Sequence, residues 1–193
     1  GRRARQPEIV VSVTDPDDPS GIRGYSYVWS RDPEAEVDTE VDQLVPDRRV
    51  EAEAEEDGAW YLRLRATDFA GNWSEPVSIE YILDNTPPSR VTFPRPPVDE
   101  DGFLVSNTFE LRWNPPPEED VAGYTTRISY VGDPRRRVDE AAMTVPAPSL
   151  PVDTSVPTVA RRNLDNGLWA LSVAPVDGVG NVGEVETILF RLN

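Results

Sequence analysis

The chain contains no cysteine and no histidine, and all 19 of its basic residues are arginine. Without cysteine there is no disulfide framework and no thiolate nucleophile. Without histidine there is no Ser-His-Asp or Cys-His relay, and the ordinary zinc, copper and haem sites built from these two residues are excluded. What remains is the chemistry of carboxylates, hydroxyls, tyrosine and arginine. No apolar run reaches the roughly eighteen residues that a membrane span needs, and Gly1 to Gln6 is too short and too polar for a signal peptide. Any export signal or anchor is therefore expected outside this sequence. The absence of lysine reads as a compositional habit, of a GC-rich genome or of a hot or saline habitat, because arginine is the planar, always-charged choice for surface ion pairs.

Charge of one sign dominates. Against 19 basic residues stand 35 acidic ones, giving a net charge of -16 and a pI of about 4.3. Such a polyanion is repelled by nucleic acid and by anionic lipid, so neither is expected as a partner. Twenty prolines and 12 glycines, with hydrophobic residues at 38%, predict short elements and frequent turns, which favours an all-β fold. A length of 193 residues accommodates two domains that can each bury a core.

Internal repetition is the most informative feature. The stretch "DGAWYLRLRATDFAGNWSEP", from Asp57 to Pro76, shifted by 109 positions falls on "NGLWALSVAPVDGVGNVGEV". Trp60 then meets Trp169, Leu62 meets Leu171, Leu64 meets Val173, Asp68 meets Asp177, and Gly71-Asn72 meets Gly180-Asn181. The register continues through Ile79 and Ile188 to Leu83 and Leu192. Earlier in each half, Ile9, Val11 and Val13 stand opposite Phe109, Leu111 and Trp113, and Gly24-Tyr25 opposite Gly123-Tyr124, at an offset that drifts from 100 to 99. Reconciling the offsets requires an insertion in the middle of the second copy, which a loop absorbs. The halves therefore read as two copies of one fold, residues 1–85 and 86–193, joined at the proline-stiffened "DNTPPS".

Period-2 alternation places the strands. In the first unit they are expected at Ile9 to Thr14, Gly24 to Ser30, Val37 to Leu44, Arg49 to Glu55, Trp60 to Thr67 and Val77 to Leu83, with no first strand. In the second they are expected near Arg90 to Pro94 and at Thr108 to Trp113, Gly123 to Val131, Val138 to Val145, Thr154 to Arg161, Leu168 to Val176 and Glu184 to Leu192. Seven strands in such a length suit a β-sandwich.

"TFELRWNPPPEEDVAGYTTRISY", followed at a distance by "NGLWALSVAPVDGVGNVGEV", resembles a fibronectin type III domain. "SGIRGYSYVWS" with "DGAWYLRLRATDFAGNWSEP" looks like the immunoglobulin-like or fibronectin III-like repeats of exported and envelope proteins of bacteria. The resemblance implies two tandem immunoglobulin-like (fibronectin type III-like) β-sandwiches, the first lacking its A strand. It departs from the family in carrying Trp60 and Trp169 where a tyrosine usually closes the corner before the sixth strand. The corner is expected to be closed by an indole or by packing alone.

Trp60 and Trp169 share the inward parity and are expected as core anchors. Tyr25, Tyr27 and Trp29 form one face of a strand, in either a core or a sugar platform. Asp68 and Asp177 fit a turn whose carboxylate accepts backbone N–H bonds while Gly and Asn take positive φ, with calcium as the alternative use of the oxygens. The acid-rich "TDPDDPSG", Thr14 to Gly21, raises calcium again, but its prolines break the spacing of a calcium loop. "EAEAEEDG" reads as an exposed strand face. An interaction surface is assigned to Trp73, at the sandwich end or against the neighbouring domain, and to Arg135, Arg136 and Arg137 in the hairpin tip "DPRRRVDE".

The resemblance implies a non-catalytic spacer, scaffold or protein-binding module pair in a larger exported protein, periplasmic, cell-surface or secreted. Its partners would be proteins or neighbouring domains of the same polypeptide, it would need no cofactor, and this piece is expected to be monomeric. The alternative is a carbohydrate-binding or accessory module of a secreted polysaccharide-active enzyme. An enzyme in its own right would need a deep pocket holding a carboxylate of raised pKa.

Overall fold

Tryptophan and leucine at every second position of one strand organise the first half of the chain. In β6 (Gly58–Asp68) the side chains of Trp60, Leu62, Leu64 and Ala66 are buried, while Tyr61, Arg63 and Arg65 on the other parity stay half exposed. The computed structural model describes residues 2–14, 19–104, 106, 108–135, 147 and 151–193. Every regular element among them is a strand, and the chain divides into two compact units, Gly1–Thr86 and Pro87–Asn193.

In the first unit β1 (Arg2–Ala4), β7 (Val77–Leu83), β6, β3 (Ile22–Ser30) and β4 (Gln43–Leu44) form one sheet in that order. The second sheet pairs β2 (Glu8–Ser12) with β5 (Arg49–Glu53) in antiparallel register, Ile9 opposite Ala52 and Val11 opposite Val50. Between them lie Ile9, Ala54, Trp60, Tyr81 and Leu83 at one end and Tyr25, Val50, Leu62, Leu64 and Ala66 at the other. Each such large apolar side chain contributes about 1.5–3 kcal/mol on leaving water.

The second unit repeats the plan. Strands β12 (Glu186–Leu192), β11 (Gly167–Asp177) and β9 (Val121–Gly132) form one sheet, and β10 (Thr158–Arg161) pairs with β8 (Phe109–Arg112) in the other. Its core holds Val91, Leu104, Leu111, Trp113, Tyr124, Leu171, Val173 and Phe190. The chain is thus all-β, two tandem β-sandwiches, as the resemblance implied.

Several local expectations are corrected. The first unit does have a first strand: β1 pairs in parallel with β7, Arg3 opposite Ile82, in the sheet that does not contain β2. Pro7, with a fixed φ and no N–H, separates β1 from β2, and the short polar run before it carries no alternation to betray a strand. The second unit has the same feature, since Phe103 bridges Arg191 in parallel and the Leu104 N–H donates to the Arg191 carbonyl at 2.8 Å. The strand expected over Val37 to Leu44 shrinks to β4, and the one expected over Thr154 to Arg161 starts at Thr158. Near Arg90 to Pro94 there is a single bridge, Thr92 to Asn114. The strand expected over Val138 to Val145 lies outside the described residues.

Trp60 and Trp169 differ. Trp60 is 9% exposed, stacks on Trp29 with ring centroids 5.5 Å apart and carries the Arg31 guanidinium over its ring at 5.4 Å. Trp169 is only half buried and packs against the core from its rim, edge-on to Tyr130 at 5.3 Å. Its strand is buried on both faces, for Leu168, Ala170, Ser172 and Ala174 are as inaccessible as Leu171 and Val173. Both indoles nevertheless close the corner in one way. The N–H of Trp60 donates to the Glu56 carbonyl at 2.9 Å and that of Trp169 to the Asp165 carbonyl at 3.0 Å, each four residues upstream.

Candidate functional site

The polar residues singled out in the sequence converge on the turn that leaves β6 and its copy that leaves β11. Gly71 and Gly180 take φ of 89° and 92°, a left-handed conformation in which a side chain would be strained. Asn72 and Asn181 are not among the positive-φ residues, so the expectation that Asn shares this role is corrected: one glycine suffices to reverse the chain. The asparagines instead bind the aspartates. Asp68 accepts the Asn72 N–H at 2.8 Å on one oxygen and the Asn72 side-chain amide at 2.8 Å on the other. Asp177 is more fully engaged, with N–H bonds from Val179 (3.0 Å), Gly180 (2.7 Å) and Asn181 (2.8 Å) on Oδ1 and the Asn181 amide on Oδ2 at 2.8 Å.

The bonds at Asp68 favour its ionised form. At Asp68 the Asn72 side-chain amide, followed by the Asn72 backbone N–H, holds the carboxyl below its ordinary value of 3.8. A lowered folded-state pKa means that this stabilisation is fully present above the ordinary value and is lost as pH falls through the lowered one. Thermal unfolding followed from pH 6 into strong acid should show the first unit losing stability below about pH 4. Asp68→Asn should flatten that acid limb. An unchanged limb in the variant would show that the turn carboxylate does not carry it.

Trp73 follows the turn. It bridges Thr67 and lies half buried, with the Arg65 guanidinium 5.4 Å from its ring centre. Arg65 also donates to the carbonyls of Ser74 at 3.2 Å and Val37 at 3.3 Å, and Arg63 donates to the Ala35 carbonyl at 2.7 Å. The outward face of β6 is therefore strapped by the segment between β3 and β4, which Ser26 joins through Asp38 at 3.0 Å. This strap is not legible in the sequence, because arginines that reach backbone carbonyls look like any solvated charge. The row Tyr25, Tyr27, Trp29 faces the core, with Tyr25 buried and Trp29 stacked on Trp60.

A second latch, also unnoticed in the sequence, repeats in both units. Asp42 accepts the Tyr27 N–H at 2.8 Å, and Asp153 accepts the Thr126 N–H at 3.0 Å. The Asp42 N–H donates to the Tyr25 carbonyl and the Asp153 N–H to the Tyr124 carbonyl, each at 3.0 Å. "VDQLVP" thus matches "VDTSVP", and the extra residues of the second unit lie between β9 and Val152.

Arg135 is exposed and its N–H donates to Asp133 at 2.8 Å. Arg136 and Arg137 lie outside the described residues, as do four residues of the acid-rich Thr14–Gly21 loop. Trp73 belongs to the first unit and Arg135 to the second. Among the described residues, no group of three or more acidic side chains is arranged to hold a metal ion. Among the described residues, the carboxyls of Asp57, Asp68, Glu110 and Glu118 are each shifted downward, through bonds led by Thr86, Asn72, Thr158 and Ser89 respectively. A general acid needs the opposite displacement. No helix among the described residues is long and apolar enough to cross a membrane.

In the solved structures the chain is similar to "Clostridium thermocellum CbhA fibronectin(III)-like modules", with 12% identity and a TM-score of 0.47 over 100% of this chain and 88% of that one. It is also similar to the two fibronectin type-III domain segment from chicken tenascin, with 14% identity and a TM-score of 0.36 over 98% of this chain and 94% of that one. No protein-family model and no curated protein matches the chain.

Proposed function

We propose that this chain is a non-catalytic pair of sandwich modules that acts, within a larger exported protein, as a structural spacer or scaffold and as a protein-binding surface. The observation that carries this reading is the use made of its polar residues. Asp68, Asp177, Arg63, Arg65, Asp42 and Asp153 are each engaged in closing a turn, strapping a sheet or latching a strand. Scaffold residues hold backbone groups in this way, whereas catalytic groups aim at a cavity.

A glycan platform draws no support from Trp29, Trp60 or Trp73, since Trp29 and Trp60 stack on each other inside the unit and Arg65 lies over Trp73. Incubation with glycoside, ester and phosphate substrates should release no product above buffer, and the protein should not co-sediment with insoluble cellulose, chitin or xylan. Turnover abolished by a single carboxylate substitution, or co-sedimentation abolished by Trp73→Ala, would refute the proposal.

A further inference from the structure

The outer edge of β2 has no strand partner among the described residues. In an antiparallel pair, the N–H and C=O of successive residues point alternately toward the partner and away from it. The Ala54 N–H donates to the Pro7 carbonyl and the Val13 N–H to the Arg48 carbonyl, each at 2.8 Å, so the odd-numbered residues of this stretch face β5. The main-chain groups of Glu8, Val10 and Ser12 therefore face away, and no described residue pairs with them, since β2 has β5 as its one partner. Three donors and three acceptors stand in a row beside Val10, which is 49% exposed. Such an edge is a template for another strand.

In the second unit one isolated bridge lies along the corresponding edge, two residues past the end of β8. There β8 corresponds to β2, and the Thr92 segment exchanges bonds of 3.3 and 2.8 Å with Asn114. In the first unit no described segment takes that place, because β1 lies on the other sheet against β7.

Charge selects what the edge will take. On the outer face Glu8 stands directly opposite Glu53, and Val10 opposite Glu51. Like charges in directly opposed positions repel. No basic side chain is paired with Glu8 or Glu53 among the described residues, whereas Glu51 has Arg49 at 3.6 Å. We infer that β2 is a docking edge for an extended segment of a partner protein in which basic residues alternate with apolar ones, the basic residues relieving the Glu8 and Glu53 pair and the apolar ones extending the core face of Ile9 and Val11. The inference rests on the reading of the chain as an interaction module and names the surface and the partner chemistry.

The test uses a synthetic peptide of about seven alternating valines and lysines, long enough to span this edge. Amide exchange of Glu8, Val10 and Ser12 is followed by NMR on the isotope-labelled chain. With peptide at ten times its dissociation constant, exchange at these three amides should slow about tenfold, since protection follows the bound-to-free ratio. The effect should vanish when alternate peptide nitrogens are methylated, when lysine is replaced by glutamate, and in about 1 M salt, where charges are screened within about 3 Å. Val10→Pro, which removes an outward N–H, should block binding. The methylated peptide gives the same answer without altering the protein, should that variant not fold. Unchanged exchange at the three amides would overturn the inference, as would equal binding of the glutamate peptide. So would protection that grows with protein concentration without peptide, the mark of a second copy. None of these results bears on turnover or glycan binding, so the two proposals are refuted separately.

Discussion

Asp177→Ala is expected to destabilise the second unit by about 3 kcal/mol or more and to lower its thermal midpoint by about 15 °C. The carboxylate is 3% exposed and accepts three backbone N–H bonds and one side-chain amide. Alanine leaves these donors in a place that water reaches poorly, and each stranded donor costs about 1–3 kcal/mol before the turn relaxes. Asp177→Asn should recover only part of the loss, because its amide group offers one acceptor oxygen where the carboxylate has two. The matching Asp68→Ala should cost less. Asn72, unlike Asn181, is exposed, so water can replace the lost bonds. Urea unfolding of the three variants gives the order directly, and equal losses at the two aspartates would contradict it.

The second large effect is expected from a single methyl group. A Cβ on Gly24 would lie 2.6 Å from the Gln43 carbonyl oxygen and 2.6 Å from Val41 Cγ1; on Gly123 it would lie 2.6 Å from the Thr154 carbonyl oxygen and 2.6 Å from Val152 Cγ1. Both approaches are set by the Asp42 and Asp153 latches, which draw the following chain onto β3 and β9. Neither glycine has positive φ, so the constraint is contact and not conformation. The carbonyl is backbone and cannot turn aside as a side chain would. Gly24→Ala and Gly123→Ala should each cost about 2 kcal/mol, within the range for overpacking a filled site. Gly71→Ala provides the contrast: no atom lies within 4 Å of its Cβ, and the penalty there would come from φ alone. A neutral Gly123→Ala would show that the latch is not closed as described.

Much of this architecture was legible because it repeats. The inward parity of Trp60, Leu62, Leu64 and Ala66 announced a half-buried strand, and the recurrence of Asp, Gly and Asn after it announced a turn. Burial on both faces of β11 was not legible from its own residues. Its second parity, Ala170, Ser172 and Ala174, is small and neutral, and nothing in such a row states what covers it. The connection after β9 is longer than its counterpart after β3, and Ala147 within it accepts a bond from Arg127 on that face at 3.4 Å. The latch stayed hidden because that same insertion shifts "VDTSVP" out of the register in which the rest of the repeat was found. Strand β1 escaped notice because "RRA" has neither length nor alternation, and its parallel pairing with β7 is a long-range fact. Trp73 and Arg135 are conspicuous by type; the first lies beside Arg65 and the second bonds within its own turn.

Each of the two sandwiches closes its own core. Cutting the chain between Thr86 and Pro87 and producing the two pieces separately tests this directly, by the cooperativity of thermal unfolding and by amide dispersion in NMR spectra. Each piece should give a dispersed β-type spectrum and unfold in one transition. A piece that stays unfolded until its neighbour is added back would contradict the account, for its core would then be shared.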